Sequence, residues 1–206
     1  MPRSGADPRA ERTRGVIQQA ATGLLSAEGW SRLTVAELCT RAEVARSTFY
    51  EHYREPWEPV FEVLVERFYE EFPEYRGDQS ILDPATLLAA GRPLSYPIFA
   101  HVEANIDLYR RAFEDPRGAP LVRAFEGAVA EVSRKQHAAL RQLSVADVDE
   151  ELTASFLAGA AVASARTWVL RENRQSAVSM SYWFSQMAAP GLLELMGLSE
   201  LLGDET

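Results

Sequence analysis

The chain has 206 residues, 47% of them hydrophobic and 25% charged, which is enough to bury a core and excludes a disordered chain. A single cysteine, Cys39, excludes an internal disulfide framework and a cysteine zinc site, and points to a reducing cytoplasm. The formal net charge of −9 argues against nucleic acid as a partner, but it is unevenly spread: +2 through Arg54 and −11 from Glu55 onward. Such a split suits an N-terminal module that faces an anion and a separate acidic body.

Helical periodicity runs almost throughout. Val16, Ile17, Ala20, Ala21, Leu24 and Leu25 form an apolar stripe that predicts a helix over about 9–28, closed by Gly29. Thr34 and Glu37 read as a capping box opening a short helix over 34–41, with Val35 and Leu38 inward. Three residues, 43–45, separate it from a helical segment over 46–52. Pro56 suits the first position of a helix to Phe72 that carries Val60, Phe61, Leu64, Val65, Phe68 and Tyr69 on its apolar side. Asp83-Pro84 predicts a short helix to Ala90, followed by helices over 94–114, 120–143, 149–172 and 177–188, and Pro190 opens a last short helix or turn to Met196. No segment alternates with strand periodicity, so the class is all-α.

Two short helices joined by a three-residue turn and preceded by a longer helix read as a helix-turn-helix. In that motif the second helix enters the major groove while the first crosses the phosphate backbone. Leu38, Val44, Phe49 and Tyr53 would hold the pair together, leaving Arg46, Ser47, Thr48, Tyr50, Glu51 and His52 outward. Arginine can pair with guanine, Ser and Thr with bases or phosphates, and Tyr and His with phosphate oxygens. Two amphipathic helices also pack as a plain αα-hairpin, so geometry alone leaves both readings open. Arg9, Arg12 and Arg14 form either a basic arm toward phosphates or a solvated terminus.

Residues 34–53, TVAELCTRAEVARSTFYEHY, resemble the helix-turn-helix signature of TetR/AcrR-type transcriptional regulators. The likeness rests on the capping Thr34, the Ala-x-Val turn at 42–44 and the run from Arg46 to Tyr53. It implies an N-terminal three-helix DNA-binding domain (1–55) and a helical ligand-binding and dimerisation domain (56–206). It also implies a homodimer reading a pseudopalindrome in double-stranded DNA, and a small-molecule effector of unknown identity. Carried over by position, Thr34 lies at the phosphate backbone, Arg46, Ser47 and Thr48 near bases, and Tyr50 and His52 at phosphates. Three positions depart from the family pattern: Glu43 stands where glycine is usual, Ala45 replaces a Ser or Thr cap, and Pro56 replaces a phosphate-reaching lysine. Arg54 carries the same charge two residues away.

In the acidic body, 152–170 is dense in small residues, and the 177–188 helix carries Tyr182, Trp183 and Met187. This suits a four-helix bundle between subunits, although a helix buried within one subunit fits the pattern too. The resemblance makes Phe68, Phe99, His101, Tyr109, Phe113, Phe125, Phe156 and Trp168 candidates for a ligand pocket; aromatic residues at helical spacing serve equally as ordinary core. No histidine has a glutamate three residues before it, and no phosphate loop, nucleophile elbow or Cys–His arrangement appears, so neither metal, cofactor nor catalysis is expected. Residues 1–15 lack the apolar stretch of a signal peptide, and the longest small-apolar run, 156–165, is half a membrane span, so no membrane partner is expected. The expectation is a cytoplasmic, ligand-responsive dimeric repressor. The alternative is a ligand-binding or protein-interaction dimer whose helix-turn-helix has weak DNA affinity.

Overall fold

A computed structural model describes residues 7–76, 91–144 and 146–199. The helix expected over 83–90 lies outside them. The described residues are all-helical: α1 (Pro8–Glu28), α2 (Val35–Ala42), α3 (Arg46–His52), α4 (Glu58–Glu71), α5 (Tyr96–Ala104), α6 (Ile106–Glu114), α7 (Ala119–Leu140), α8 (Glu150–Val169) and α9 (Ala177–Leu195). They fall into two compact units, one of residues up to Glu66 together with Asp107–Arg123, the other of Arg67–Ile106 with Ala124 onward.

In the first unit, Ile17, Ala20, Ala21, Leu24 and Leu25 of α1 are buried as the stripe predicts, whereas Val16 is exposed. Leu38, Phe49 and Tyr53 close the α2–α3 pair. Trp30, under the turn after α1, donates its indole N–H to the Arg111 carbonyl at 2.8 Å, tying that turn to α6. Tyr109 and Phe113 stack in the same unit, 6.2 Å between centroids. Gly118 approaches the backbone of Ala112 so closely that a Cβ would meet its carbonyl oxygen at 2.2 Å, which leaves no residue but glycine there.

In the second unit, Phe99 sits edge-on to Trp168 at 5.9 Å and packs on Phe184 at 5.5 Å, joining α5, α8 and α9. A polar relay, buried at Asn105 and His101 and exposed at Arg67, belongs to the same unit. Arg67 donates to Asn105 Oδ1 at 2.6 Å, and the Asn105 amide donates to the His101 carbonyl at 3.0 Å. That relay explains a departure from the expected single helix over 94–114. Asn105 leaves helical geometry at φ −118°, ψ 31°, because its carboxamide competes with the backbone for the carbonyl one turn back.

Other boundaries move for local reasons. Pro56 lies in a turn ahead of α4 rather than at its first position. Pro190 does not open a new helix but sits inside α9. Gln186, whose carbonyl loses its usual donor, is exposed, so water can serve it. The capping box is half made: Thr34 Oγ accepts from the Glu37 N–H at 3.2 Å, while the Glu37 carboxylate turns to Arg32 at 3.1 Å.

Candidate functional site

Local chemistry sets the geometry of α2, turn and α3. The turn is made by Glu43, whose φ of 55° and ψ of 39° place it in the left-handed region; it is the only non-glycine residue there among those described. Its N–H and that of Val44 return to the carbonyls of Thr40 and Cys39, ending α2. Ala45 then precedes α3 with extended backbone and no side-chain cap. Both departures seen in the sequence therefore fall on residues that shape the turn.

The outward face of α3 presents Arg46, Ser47 and Tyr50 to solvent, with Thr48 and His52 half-buried at its edges. Tyr50 is 58% exposed, large for an aromatic side chain with no partner beyond an edge contact to Phe49. Thr34 and Arg54 are exposed as well. Arg54 donates its backbone N–H to Glu58 at 2.7 Å, which leaves its guanidinium outward-available.

Among the described residues up to Arg54, ion pairing divides the arginines into two sets, which no count of charges could do. Arg14 pairs with Glu62, Arg41 and Arg32 both pair with Glu28, and Arg32 also reaches Glu37. Arg9, Arg12, Arg46 and Arg54 make no ion pair among the described residues. These four are the cations left to meet phosphate or base edges. Arg9, Arg12 and Arg14 stand on α1 itself, which begins at Pro8, and not on an arm before it.

Behind α3, Glu62 of α4 accepts from Tyr53 and Arg14, and from Gln18 at 3.1 Å. Tyr53 closes the recognition helix, and burial with this carboxylate neighbour holds its phenol protonated well above the usual range. The network fixes α3 on α1 and α4 through a single carboxylate.

The second unit holds a cavity of about 610 Å³ between the segment before α5, α7, α8 and α9. The eight side chains expected around a ligand lie elsewhere. Tyr109 and Phe113 are core of the first unit, Phe99 and Phe125 are buried in the second, and Phe156 is 67% exposed. Phe68 is half-buried edge-on to His101, 5.6 Å between ring centroids. Burial, with Arg67 nearby, pushes the His101 imidazole down to about 4, so it is neutral at physiological pH. Trp168 borders a smaller cleft of about 350 Å³ and donates its indole N–H to Gln175 at 2.9 Å. Aromatic spacing found the core. The cavity is instead lined by residues such as Arg92, Ile98, His137, Leu157 and Leu193, which carry no common sequence signal.

A short capped helix, a tight turn and an exposed polar second helix form a helix-turn-helix in a chain whose described residues are all-helical. Residues 17–55 match the family described as bacterial regulatory proteins, tetR family. Over 87–90% of its length the chain shares its fold with solved regulators. Thermus thermophilus FadR, a TetR-family transcriptional repressor solved with lauroyl-CoA, is 22% identical over 87% of this chain and 95% of its own, with a TM-score of 0.55. A TetR transcriptional regulator from Streptococcus agalactiae is 21% identical over 87% and 95%, at 0.54. The dihydroxyacetone kinase operon activator DhaS is 18% identical over 90% and 97%, at 0.55. At these identities the likeness is one of fold. No curated protein matches the sequence.

Proposed function

We propose that the chain is a cytoplasmic, ligand-responsive transcriptional regulator that acts as a homodimer on a pseudopalindromic operator, in the sense of a repressor. The observation that carries this is the face of α3. Arg46, Ser47 and Tyr50 are exposed together on a capped helix-turn-helix, with Arg46 and Arg54 free of carboxylate partners. A solvated hairpin has no reason to keep its cations unpaired while Arg14, Arg32 and Arg41 nearby are neutralised. Thr34, Tyr50, His52 and Arg54 then position the head on phosphates, and Arg46, Ser47 and Thr48 lie near base edges.

The dimer is supported by an apolar face that α8 and α9 leave uncovered. Leu152, Phe156, Tyr182, Trp183, Met187 and Leu195 are each between 48% and 68% exposed. Large apolar side chains exposed together on two successive helices suit an interaction site, and one recognition helix reads too few bases for tight specific binding. The functional division is placed at Pro56, so that 1–55 binds DNA and 56–206 carries ligand and dimer contacts. The ligand acts by binding the operator-incompetent arrangement of the two heads more tightly, since equal affinity for both arrangements shifts nothing.

The test is selection of bound sequences from random DNA, followed by anisotropy titration at several salt concentrations. The expected result is a two-fold symmetric site bound in the nanomolar range, with Arg46→Ala losing sequence preference. Absence of any saturable binding at low salt overturns the reading in favour of an interaction module with an inactive helix-turn-helix.

A further inference from the structure

The cavity of the second unit, about 610 Å³, falls inside the roughly 300–1,000 Å³ that takes small organic ligands. Most of its wall is apolar, and its charged lining among the described residues is a single cation, Arg92, with no acid. The Arg92 guanidinium lies 4.6 Å from the Tyr96 ring centroid and pairs with no carboxylate among the described residues. Stacking on an aromatic ring holds a guanidinium in place, and its planar fork of donors matches a carboxylate.

Two polar residues of the wall are already occupied. Ser95 bonds to the Ser181 carbonyl and Ser185, and Gln136 donates to the Tyr75 hydroxyl and the Leu94 carbonyl at 2.8 and 2.7 Å. His137 is different. It is 95% buried in the wall, and its Nε2 is the one buried side-chain polar atom without a hydrogen-bond partner among the described residues. An orphaned buried nitrogen costs free energy unless something else meets it. Burial also lowers the His137 pKa, against the opposing pull of the Glu150 carboxylate, so Arg92 is the fixed charge lining the cavity among the described residues.

We infer that this cavity binds an apolar monocarboxylate, its carboxylate on Arg92 and its hydrocarbon body against Ile98, Leu140, Leu157, Phe184 and Leu193. A cationic ligand is disfavoured, because the wall offers it no acid among the described residues. This rests on the ligand-responsive reading of the second domain and names the chemical class of that ligand.

The experiment is isothermal titration of the full chain at pH 7.5 with sodium decanoate, decan-1-ol and decylammonium chloride, three probes with one chain length and different heads. Wild type binds decanoate roughly tenfold or more tightly than decanol, and decylammonium weakest. Arg92→Ala, an exposed position whose loss leaves the core intact, brings decanoate down to decanol while decanol is unchanged. Arg92→Glu moves the preference to decylammonium. Equal affinity for the three heads, no saturable binding, or an Arg92→Ala variant with undiminished preference for decanoate overturns the assignment. Binding seen only after the α8–α9 face is made monomeric overturns it too, because a second copy then fills the cavity. Operator binding without ligand is measured separately. Decanoate that binds through Arg92 without changing DNA affinity sustains the site and refutes the ligand-responsive reading, while intact DNA binding with no carboxylate bound does the reverse.

Discussion

Replacing Glu43 by glycine tests the turn on which the recognition helix depends. Glu43 holds φ 55° and ψ 39° at the end of α2, a left-handed conformation that costs a residue with a Cβ roughly 1–2 kcal/mol. Glycine adopts it without that clash, but loses more conformational entropy on folding, roughly 0.5–1 kcal/mol. The net expectation for Glu43→Gly is a gain of about 0.5–1 kcal/mol. For a chain of this length that is about 1–4 °C in Tm. The carboxylate is exposed and borders the DNA-facing turn, so its removal also strengthens DNA binding by lessening repulsion of phosphate. Glu43→Ala separates the two effects, since alanine keeps the Cβ and loses the charge. Thermal unfolding followed by circular dichroism, with anisotropy titration on the selected DNA, reads both. Glycine alone raises Tm, and both variants raise DNA affinity by a similar, salt-dependent factor. If the alanine variant gains as much stability as the glycine variant, backbone strain at Glu43 is refuted as the cause.

Ala45 precedes α3 without a side-chain cap, so Ala45→Ser supplies an acceptor for an orphan N–H and raises stability by about 1 kcal/mol, read as a shift in urea midpoint. His101 is held neutral by burial with its pKa depressed from 6.5 to about 4. Its contribution is complete above pH 6.5 and is lost as pH falls toward 4, where the unfolded chain takes up the proton and the folded one does not. Between pH 7.5 and 4.5 the stability advantage of wild type over His101→Gln therefore shrinks by about 2–3 kcal/mol in urea titrations. A stability difference that stays level with pH would refute this. Phe156→Glu combined with Met187→Glu places two charges on the uncovered α8–α9 face. It converts a dimer to a monomer by sedimentation velocity with helicity retained, and weakens operator binding roughly tenfold or more.

Much of the DNA-binding domain was legible in the sequence because its signals are local. Thr34 caps the helix that begins one residue later, Glu43 and Ala45 bear on the turn they occupy, and α3 spans the seven residues that spacing assigned to it. Apolar periodicity likewise found Ile17 through Leu25 and the core positions Val60 and Leu64. Local signals failed where a side chain answers to a distant partner. Asn105 breaks a helix in company with Arg67, and Glu37 leaves its own cap for Arg32. The eight aromatic and histidine candidates for a pocket are scattered for a related reason: an aromatic stripe reports that a face is buried and not what lies against it. Phe99 and Trp168 pack on each other, Tyr109 and Phe113 belong to another unit, and Phe156 faces solvent.

By itself the sequence determined an all-helical chain with a helix-turn-helix near its start and a charge split of +2 against −11 about Arg54. Tertiary structure decided which of those charges count. Glu28 and Glu62 neutralise Arg32, Arg41 and Arg14, leaving Arg9, Arg12, Arg46 and Arg54 for an anion. It also decided where a cavity lies, bringing Arg92, His137, Leu157 and Leu193 to one wall. The physical reason is the range of the forces involved. Capping and periodicity act between residues within a turn or two, while ion pairing and enclosure act between whatever the folded chain places a few ångströms apart.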